Sequence, residues 1–285
     1  MGALRKQMDS DMVVRGMAER TRETYLSAVA GMAKYYRRSP EQVSEVEVQR
    51  YLLHLIEERK LAWSSCNIAV NALKFCYHVT LKRGQAQFDI PRARQPQKLP
   101  QILAREEVAR LIERTNNPKH RAMLMTTYGA GLRVSELCHL KVSDIDSARM
   151  SIRVEQGKGA KDRYTLLSAR LLRELRHYWA AHRPRQWLFS ATNDVDHPLS
   201  TTTAQKIFYA AKRRAGITKQ CGIHGLRHAF ATHLLEAGVD IHTIQRLMGH
   251  GHISSTLRYF HLAHKHLAAT PSPLELLERP DITPL

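Results

Sequence analysis

Four short stretches of the chain carry side chains that could act together on one phosphodiester. They are Gly131-Leu132-Arg133, Gly157-Lys158-Gly159, His224-Gly225-Leu226-Arg227, and Gly249-His250 followed nine residues later by Tyr259. Two arginines can each grip two phosphate oxygens through a planar fork. A lysine or histidine can move a proton, and a tyrosine can attack phosphorus and hold it covalently. Such a set could cut a phosphodiester with no metal. Each stretch alone has a plainer explanation. Arg133 and Glu136 would make an ordinary i,i+3 surface pair. Lys158 would sit in a solvated turn, His224 would be a buried histidine, His250 a charge at a helix C-terminus, and Tyr259 half-buried core. Order and spacing together favour the shared site.

The elements that must position these residues can be read from periodicity. Helices are expected near Arg105–Arg114 (with Ala104 a poor N-cap), ending at Tyr128, over Leu132–Leu140, and near 168–181, 201–215, 225–236 and 240–248, with Tyr259 in or beside a further short helix. Gly129-Ala130-Gly131 reads as a turn. Residues 149–155 alternate, with Met150, Ile152 and Val154 on one face, and Tyr164 and Leu166 alternate again beyond Gly157–Asp162. That is a β-hairpin with Lys158 and Lys161 at its tip and Arg163 just past it. His224 and Arg227, three apart at a helix start, share a face near N–H groups that attract phosphate.

The N-terminal part reads as a separate helical domain. Residues 1–20 look like a weakly structured lead-in. A helix should start at Thr21 as N-cap, with Tyr25, Val29 and Met32 inward. Another starts at Ser44, where Ser44-x-x-Glu47 makes a capping box before Val48, Leu52, Leu55 and Ile56. A third runs from about Ser64 to Lys82, with Ile68, Leu73, Phe75 and Tyr77 inward and a stop near Gly84. Asn71 and Lys74 on that helix are candidate base-reading residues. Residues 89–100 hold Pro91, Pro96 and Pro100 with Arg92, Arg94 and Lys98, the composition of a semi-extended basic linker. The expected division is 1–88 helical domain, 89–100 linker and 101–285 second domain, which holds the candidate phosphodiester site. The fold class is mainly α with a small β-hairpin or sheet in the second domain (α+β).

Bulk properties agree. The chain has 285 residues, 43% hydrophobic and 25% charged, which is globular composition. Lys and Arg number 44 against 26 Asp and Glu, a net +18 that points to a polyanionic partner. The excess is spread out: residues 1–98 carry 17 basic and 10 acidic side chains (+7), and residues 99–285 carry 27 and 16 (+11). No stretch approaches the roughly 18–20 apolar residues of a membrane span, and Met1–Thr21 has no secretory pattern. Cys66, Cys76, Cys138 and Cys221 form no CxxC, so a reduced, cytoplasmic chain is expected. His224/His228 and His261/His264/His266 lack companion ligands, so neither metal nor cofactor is expected.

Taken as a set, the motifs resemble the tyrosine recombinase (phage integrase) family. The segments that carry the resemblance are Tyr128–Leu137, Gly157–Arg163, His224–Leu234 and Leu247–His250 through Tyr259, with Asn71–Phe75 in the first domain. The likeness is close to the Xer-type branch and to integron and phage integrases, although Lys158 to His224 leaves no room for the extra helix of integron integrases. Phe260 stands where the family often has a small polar residue. The resemblance implies a site-specific DNA recombinase or integrase, suited to a mobile element, working as a homo-tetramer of C-shaped clamps on two duplexes. It implies Tyr259 as nucleophile forming a 3′-phosphotyrosyl link, and Arg133 and Arg227 on the non-bridging oxygens. Lys158 would protonate the leaving 5′-oxygen, His224 would be the general base and His250 a phosphate ligand. Glu136 would brace the arginines, while Lys161 and Arg163 would touch DNA. The alternatives are supercoil relaxation alone, as in type IB topoisomerases, and a DNA-binding regulator of the same fold that does not cleave.

Overall fold

A computed structural model describes residues 2–84, 101–155, 162–191 and 194–260. The chain divides into two compact units, Met1–Gln97 and Lys98–Leu285. The architecture is mainly helical, with one small antiparallel sheet in the second unit. The linker expected over 89–100 and the hairpin tip bearing Lys158 and Lys161 lie outside the described residues.

The first unit packs α1 (Gly2–Val14), α2 (Glu19–Tyr36), α3 (Glu45–Glu57) and α4 (Trp63–Lys74), the last running into a π-helical turn, Phe75–Thr80. Its core joins Met8, Met12, Met32, Leu52, Leu73 and Tyr77. The capping box at Ser44 forms as the sequence predicts: the Glu47 N–H donates to Ser44 Oγ, and the Ser44 N–H donates to Glu47 Oε2 at 2.9 Å. Three expectations need correction. Residues 2–14 are not a loose lead-in but a helix whose Leu4, Met8 and Met12 are buried. That i, i+4, i+8 stripe is only one residue wide, and the flanking charges disguise it. Helix α2 begins at Glu19 with Ala18 as N-cap, so Thr21 lies inside it. Ile68 points outward, 41% exposed, because α4 turns Cys66, Ala69, Val70 and Leu73 to the core instead.

The second unit contains α5 (Arg105–Glu113), α6 (Pro118–Gly129), α7 (Val134–Cys138), β1 (Ile145–Asp146), β2 (Ser151–Val154), β3 (Arg163–Leu166), α8 (Ala169–His182), α9 (Thr201–Arg214), α10 (His224–Glu236), α11 (Ile241–Met248) and α12 (Ser254–Phe260). Ala104 carries no capping side chain, and its N–H is met by Glu107 Oε2 at 2.7 Å. Side-chain caps that the sequence does specify start α8 (Ser168), α9 (Ser200) and α11 (Asp240). The sheet runs β1-β2-β3, with Ile152 opposite Thr165 and Val154 opposite Arg163. Ile152 and Val154 are buried as the alternation predicts, but Met150 sits at positive φ in the preceding turn and is 38% exposed. On β3 the inward residues are Arg163 and Thr165, not Tyr164 and Leu166, which are exposed. Thr165 Oγ1 donates to the Ala130 carbonyl at 2.9 Å, and Arg163 is held by a buried carboxylate. Polar partners decide that face.

Helix α10 lies at the centre of this unit, packed by α5, α6, α11 and α12. Around its outer side Phe230, Leu235, Ile244, Met248 and Tyr259 make a small apolar cluster of their own. Since Met12 is fully buried, Met12→Ala should lower the first unit's unfolding free energy by roughly 2–5 kcal/mol. A urea melt of the isolated variant's helical signal checks this, and an unmoved midpoint would mean α1 contributes nothing.

Candidate active site

Helix α7 begins at Val134 and not at Leu132, because Arg133 before it is its N-cap in extended backbone. Gly131 makes this entry possible. Its φ is +62°, and a Cβ there would meet the Phe230 ring at 2.4 Å. One turn into α7 sits Glu136, whose side chain is only 5% exposed. Its carboxylate accepts from the Arg133 N–H and Nη1 at 2.8 and 2.7 Å. It also accepts both terminal nitrogens of Arg163 at 2.8 Å each. Arg227 Nη1 lies 3.6 Å away. Burial alone would push this carboxyl's pKa up, but the Arg163 fork and the Arg133 contacts outweigh it and hold the group at about 2.

The same three guanidinium groups converge on the last turn of α11. Arg163 Nε donates to the Leu247 carbonyl at 2.9 Å. Arg227 donates to the carbonyls of Gly131, at 2.6 Å, and Met248. Arg133 Nη2 donates to the Gly249 carbonyl at 3.2 Å. Gly249 closes α11 at φ +61°, and a Cβ there would strike Arg163 Cδ at 2.7 Å. The helix terminus and the Arg163 stem are therefore fitted to each other. Arg227 is 1% exposed. Burial pulls its pKa down to about 9, Arg133 and Arg163 add repulsion, and Glu136 opposes them. A cation so placed gains from any anion that arrives beside it.

Helix α12 delivers Tyr259 to the same face of α10. The tyrosine is 2% exposed, with its hydroxyl 2.9 Å from His228 Nδ1. The His250 ring lies parallel to it, 9° off plane with centroids 6.3 Å apart, and His250 Nδ1 is 2.8 Å from Thr256 Oγ1. His224 is the first residue of α10 and is exposed, and its ring stands edge-on to His228 at 4.6 Å.

The structure thus gathers Arg133, Glu136, His224, Arg227, His250 and Tyr259 around α10 and the ends of α7 and α11. It does not describe Lys158 or Lys161. Asn71 is exposed and Lys74 half-buried on α4 of the other unit. Arg163, expected to touch DNA, commits both ends of its fork to Glu136, with its side chain 9% exposed. His228 was missed as a site residue. Its signal was the i, i+4 spacing from His224, which places both imidazoles on one helix face. Among the described residues no three His, Cys, Asp or Glu side chains are grouped to hold a metal, and no helix is long and apolar enough to cross a membrane.

The Glu136 carboxyl yields a pH prediction. Its folded pKa lies below the ordinary 4.5, so its stabilising contribution is complete above about 4.5 and disappears as pH falls towards 2. Urea midpoints across that window should fall steeply for the wild type and less for Glu136→Gln. At neutral pH that variant should be less stable by roughly 3–5 kcal/mol, because it strands buried guanidinium groups.

Comparisons with known proteins identify the family. Residues 101–266 match the phage integrase family, and residues 4–87 match the phage integrase N-terminal SAM-like domain. A Sinorhizobium fredii protein provisionally named integrase/recombinase y4qK is 43% identical over 285 residues, covering 100% of this chain and 92% of that protein. Tyrosine recombinase XerA of Thermococcus kodakarensis is 37% identical over 81% of this chain and 82% of its own length. Among solved structures, XerA recombinase shares 27% identity at a TM-score of 0.56, covering 94% of this chain and 96% of that one. A lambda integrase dimer bound to a core site has the same fold, with a TM-score of 0.71 at 20% identity, over 90% of this chain and 96% of that one. The chain therefore belongs to the phage integrase family, the tyrosine recombinases, and is a DNA strand-transfer enzyme of that kind.

Proposed function

We propose that the chain is a site-specific recombinase that cuts and rejoins double-stranded DNA through a covalent 3′-phosphotyrosyl intermediate on Tyr259, with neither metal nor ATP. The observation that carries this reading is the convergence on α10. Arg227 from that helix and Arg133 beside it share the α11 carbonyls, while α12 brings the Tyr259 hydroxyl against the next residue, His228.

In this reading Arg133 and Arg227 hold the two non-bridging oxygens and offset the charge that builds up as phosphorus becomes five-coordinate. Arg133 is already oriented by the α11 carbonyls, whereas Arg227, 1% exposed and donating to two carbonyls, has to open towards the phosphate when DNA arrives. His224 and His250 complete the hydrogen-bond shell of the phosphate. Lys158 protonates the departing 5′-oxygen. The phosphotyrosyl ester conserves the energy of the broken bond, so the reverse attack by a 5′-hydroxyl reseals the strand without an external energy source. Glu136 keeps three guanidinium groups from driving one another apart.

The partner is a duplex recombination site, a proposal supported by the basic charge of both halves of the chain and by relatives such as XerH, solved on difH DNA at 20% identity. Asn71 and Lys74 remain proposed contacts in the first unit and Lys161 in the second, whereas Arg163 becomes a strut of the phosphate site. Assembly as a tetramer on two duplexes is part of the proposal.

Incubation with nicked duplexes drawn from a random-sequence pool should give a covalent protein–DNA adduct with wild type. The Tyr259→Phe variant should give none, and an adduct with that variant would falsify the nucleophile. A chelator should leave the wild-type yield unchanged. Arg133→Ala and Arg227→Ala should cut adduct formation by at least ~10² while weakening DNA binding in gel shifts far less. Equal losses in both measurements would remove the catalytic role.

A further inference from the structure

The family resemblance gives the tyrosine's proton to His224, but we infer that His228 takes it. This deepens the phosphotyrosyl reading and rests on it. His228 Nδ1 lies 2.9 Å from the Tyr259 hydroxyl, while the rings tilt at 50° with centroids 5.5 Å apart. The separation is that of a hydrogen bond, and in the tautomer with Nδ1 unprotonated the phenol O–H donates to the imidazole.

Burial makes this contact matter. Tyr259 is 2% exposed, so bulk water is screened from its hydroxyl. A free phenol loses its proton near pH 10 and a free imidazole gains one near 6.5, so a neutral imidazole in direct contact is the natural acceptor as the oxygen becomes a phosphate ester. His224 stands edge-on to His228 at 4.6 Å and is exposed at the helix start. That is a suitable position to meet a DNA phosphate.

The proton balance is closed. As Tyr259 Oη bonds to phosphorus, its proton passes to His228 Nδ1. The P–O5′ bond breaks, and the 5′-oxygen takes a proton from the acid that the phosphotyrosyl reading already requires. In rejoining, the 5′-hydroxyl attacks phosphorus and gives its proton back to that same, now deprotonated acid, the P–Oη bond to Tyr259 breaks, and His228 returns its proton to the phenolate. The neighbours from each element packed on α10 fit this role. Arg227 lies on the same helix, Tyr259 comes from α12, and His250 follows α11. Tyr128 of α6 and Arg105 of α5 meet α10 further along, at His233.

The test uses the full chain and the nicked duplex selected for wild-type adduct formation. His228→Ala and His228→Gln should each slow single-turnover adduct formation by ~10² or more. Free imidazole should restore much of the rate in His228→Ala and none in His228→Gln, where the amide fills the space; His224→Ala should not respond to imidazole. Either His228 variant cleaving at the wild-type rate overturns the inference. So does a loss in His228→Ala that imidazole leaves uncorrected, which marks a packing role. Nitrogen NMR on the wild-type chain is an independent reading that needs no variant: Nδ1 of His228 should be an unprotonated acceptor, and a proton found there overturns the inference. If Tyr259→Phe is inert while His228 variants react normally, only this inference falls and the phosphotyrosyl reading stands.

Discussion

The buried carboxylate of Glu136 is the contact on which the site depends. Three guanidinium groups, from the α7 cap, from β3 and from α10, lie around it. Three like charges in a water-poor pocket would repel one another strongly. One buried anion, chelated by Arg163 from one side and capping Arg133 from the other, makes the gathering tolerable but does not neutralise it. Two net positive charges remain; burial first, and then repulsion from Arg133 and Arg163, lower the pKa of Arg227, with Glu136 opposing them. The residual charge is matched to a ligand that brings its own negative charge to the same place.

Backbone carbonyls do the rest of the positioning. The last turn of α11 and the Gly131 turn offer oxygens to arginine donors from three different elements. A helix C-terminus has carbonyls without intrahelical partners and a negative dipole end, so it suits cations. Here it fixes the direction of each guanidinium before any substrate is present. Such preorganisation is the usual origin of electrostatic stabilisation in enzymes. The two αL glycines are what let the backbone turn tightly enough to serve: at Gly131 a methyl group would collide with Phe230, and at Gly249 with Arg163.

Most of this was legible in the sequence, for identifiable reasons. The helices around the site carry strong signals: Ser168, Ser200 and Asp240 at their starts, Gly216, Gly238 and Gly249 at their ends. Arg133, Arg227 and Tyr259 stand in motifs whose spacing is set by those elements. What could not be read was pairing across the chain. Arg163 looked like a hairpin-tip cation because nothing local shows that it meets Glu136, 27 positions earlier. His228 was hidden for the same reason, since its partner lies 31 positions away on another helix. On β3 the alternation of Tyr164 and Leu166 left the inward face undecided, and a buried hydrogen bond from Thr165 and a buried ion pair of Arg163 set it.

Helix α1 bears on how this enzyme could be retargeted. Its buried Met8 and Met12 belong to the same core as Cys76 and Tyr77, and Gln7 Nε2 reaches the Thr80 carbonyl at 3.3 Å. Residues 2–14 therefore close over the π-helical turn of the first unit. A chimera that exchanges the first unit for a relative's SAM-like domain has to take the counterpart of α1 together with that of α2 to α4. A graft joined at α2 would leave the foreign core open to water along one side, and a bulky fusion partner attached directly ahead of Leu4 would press on the same seam.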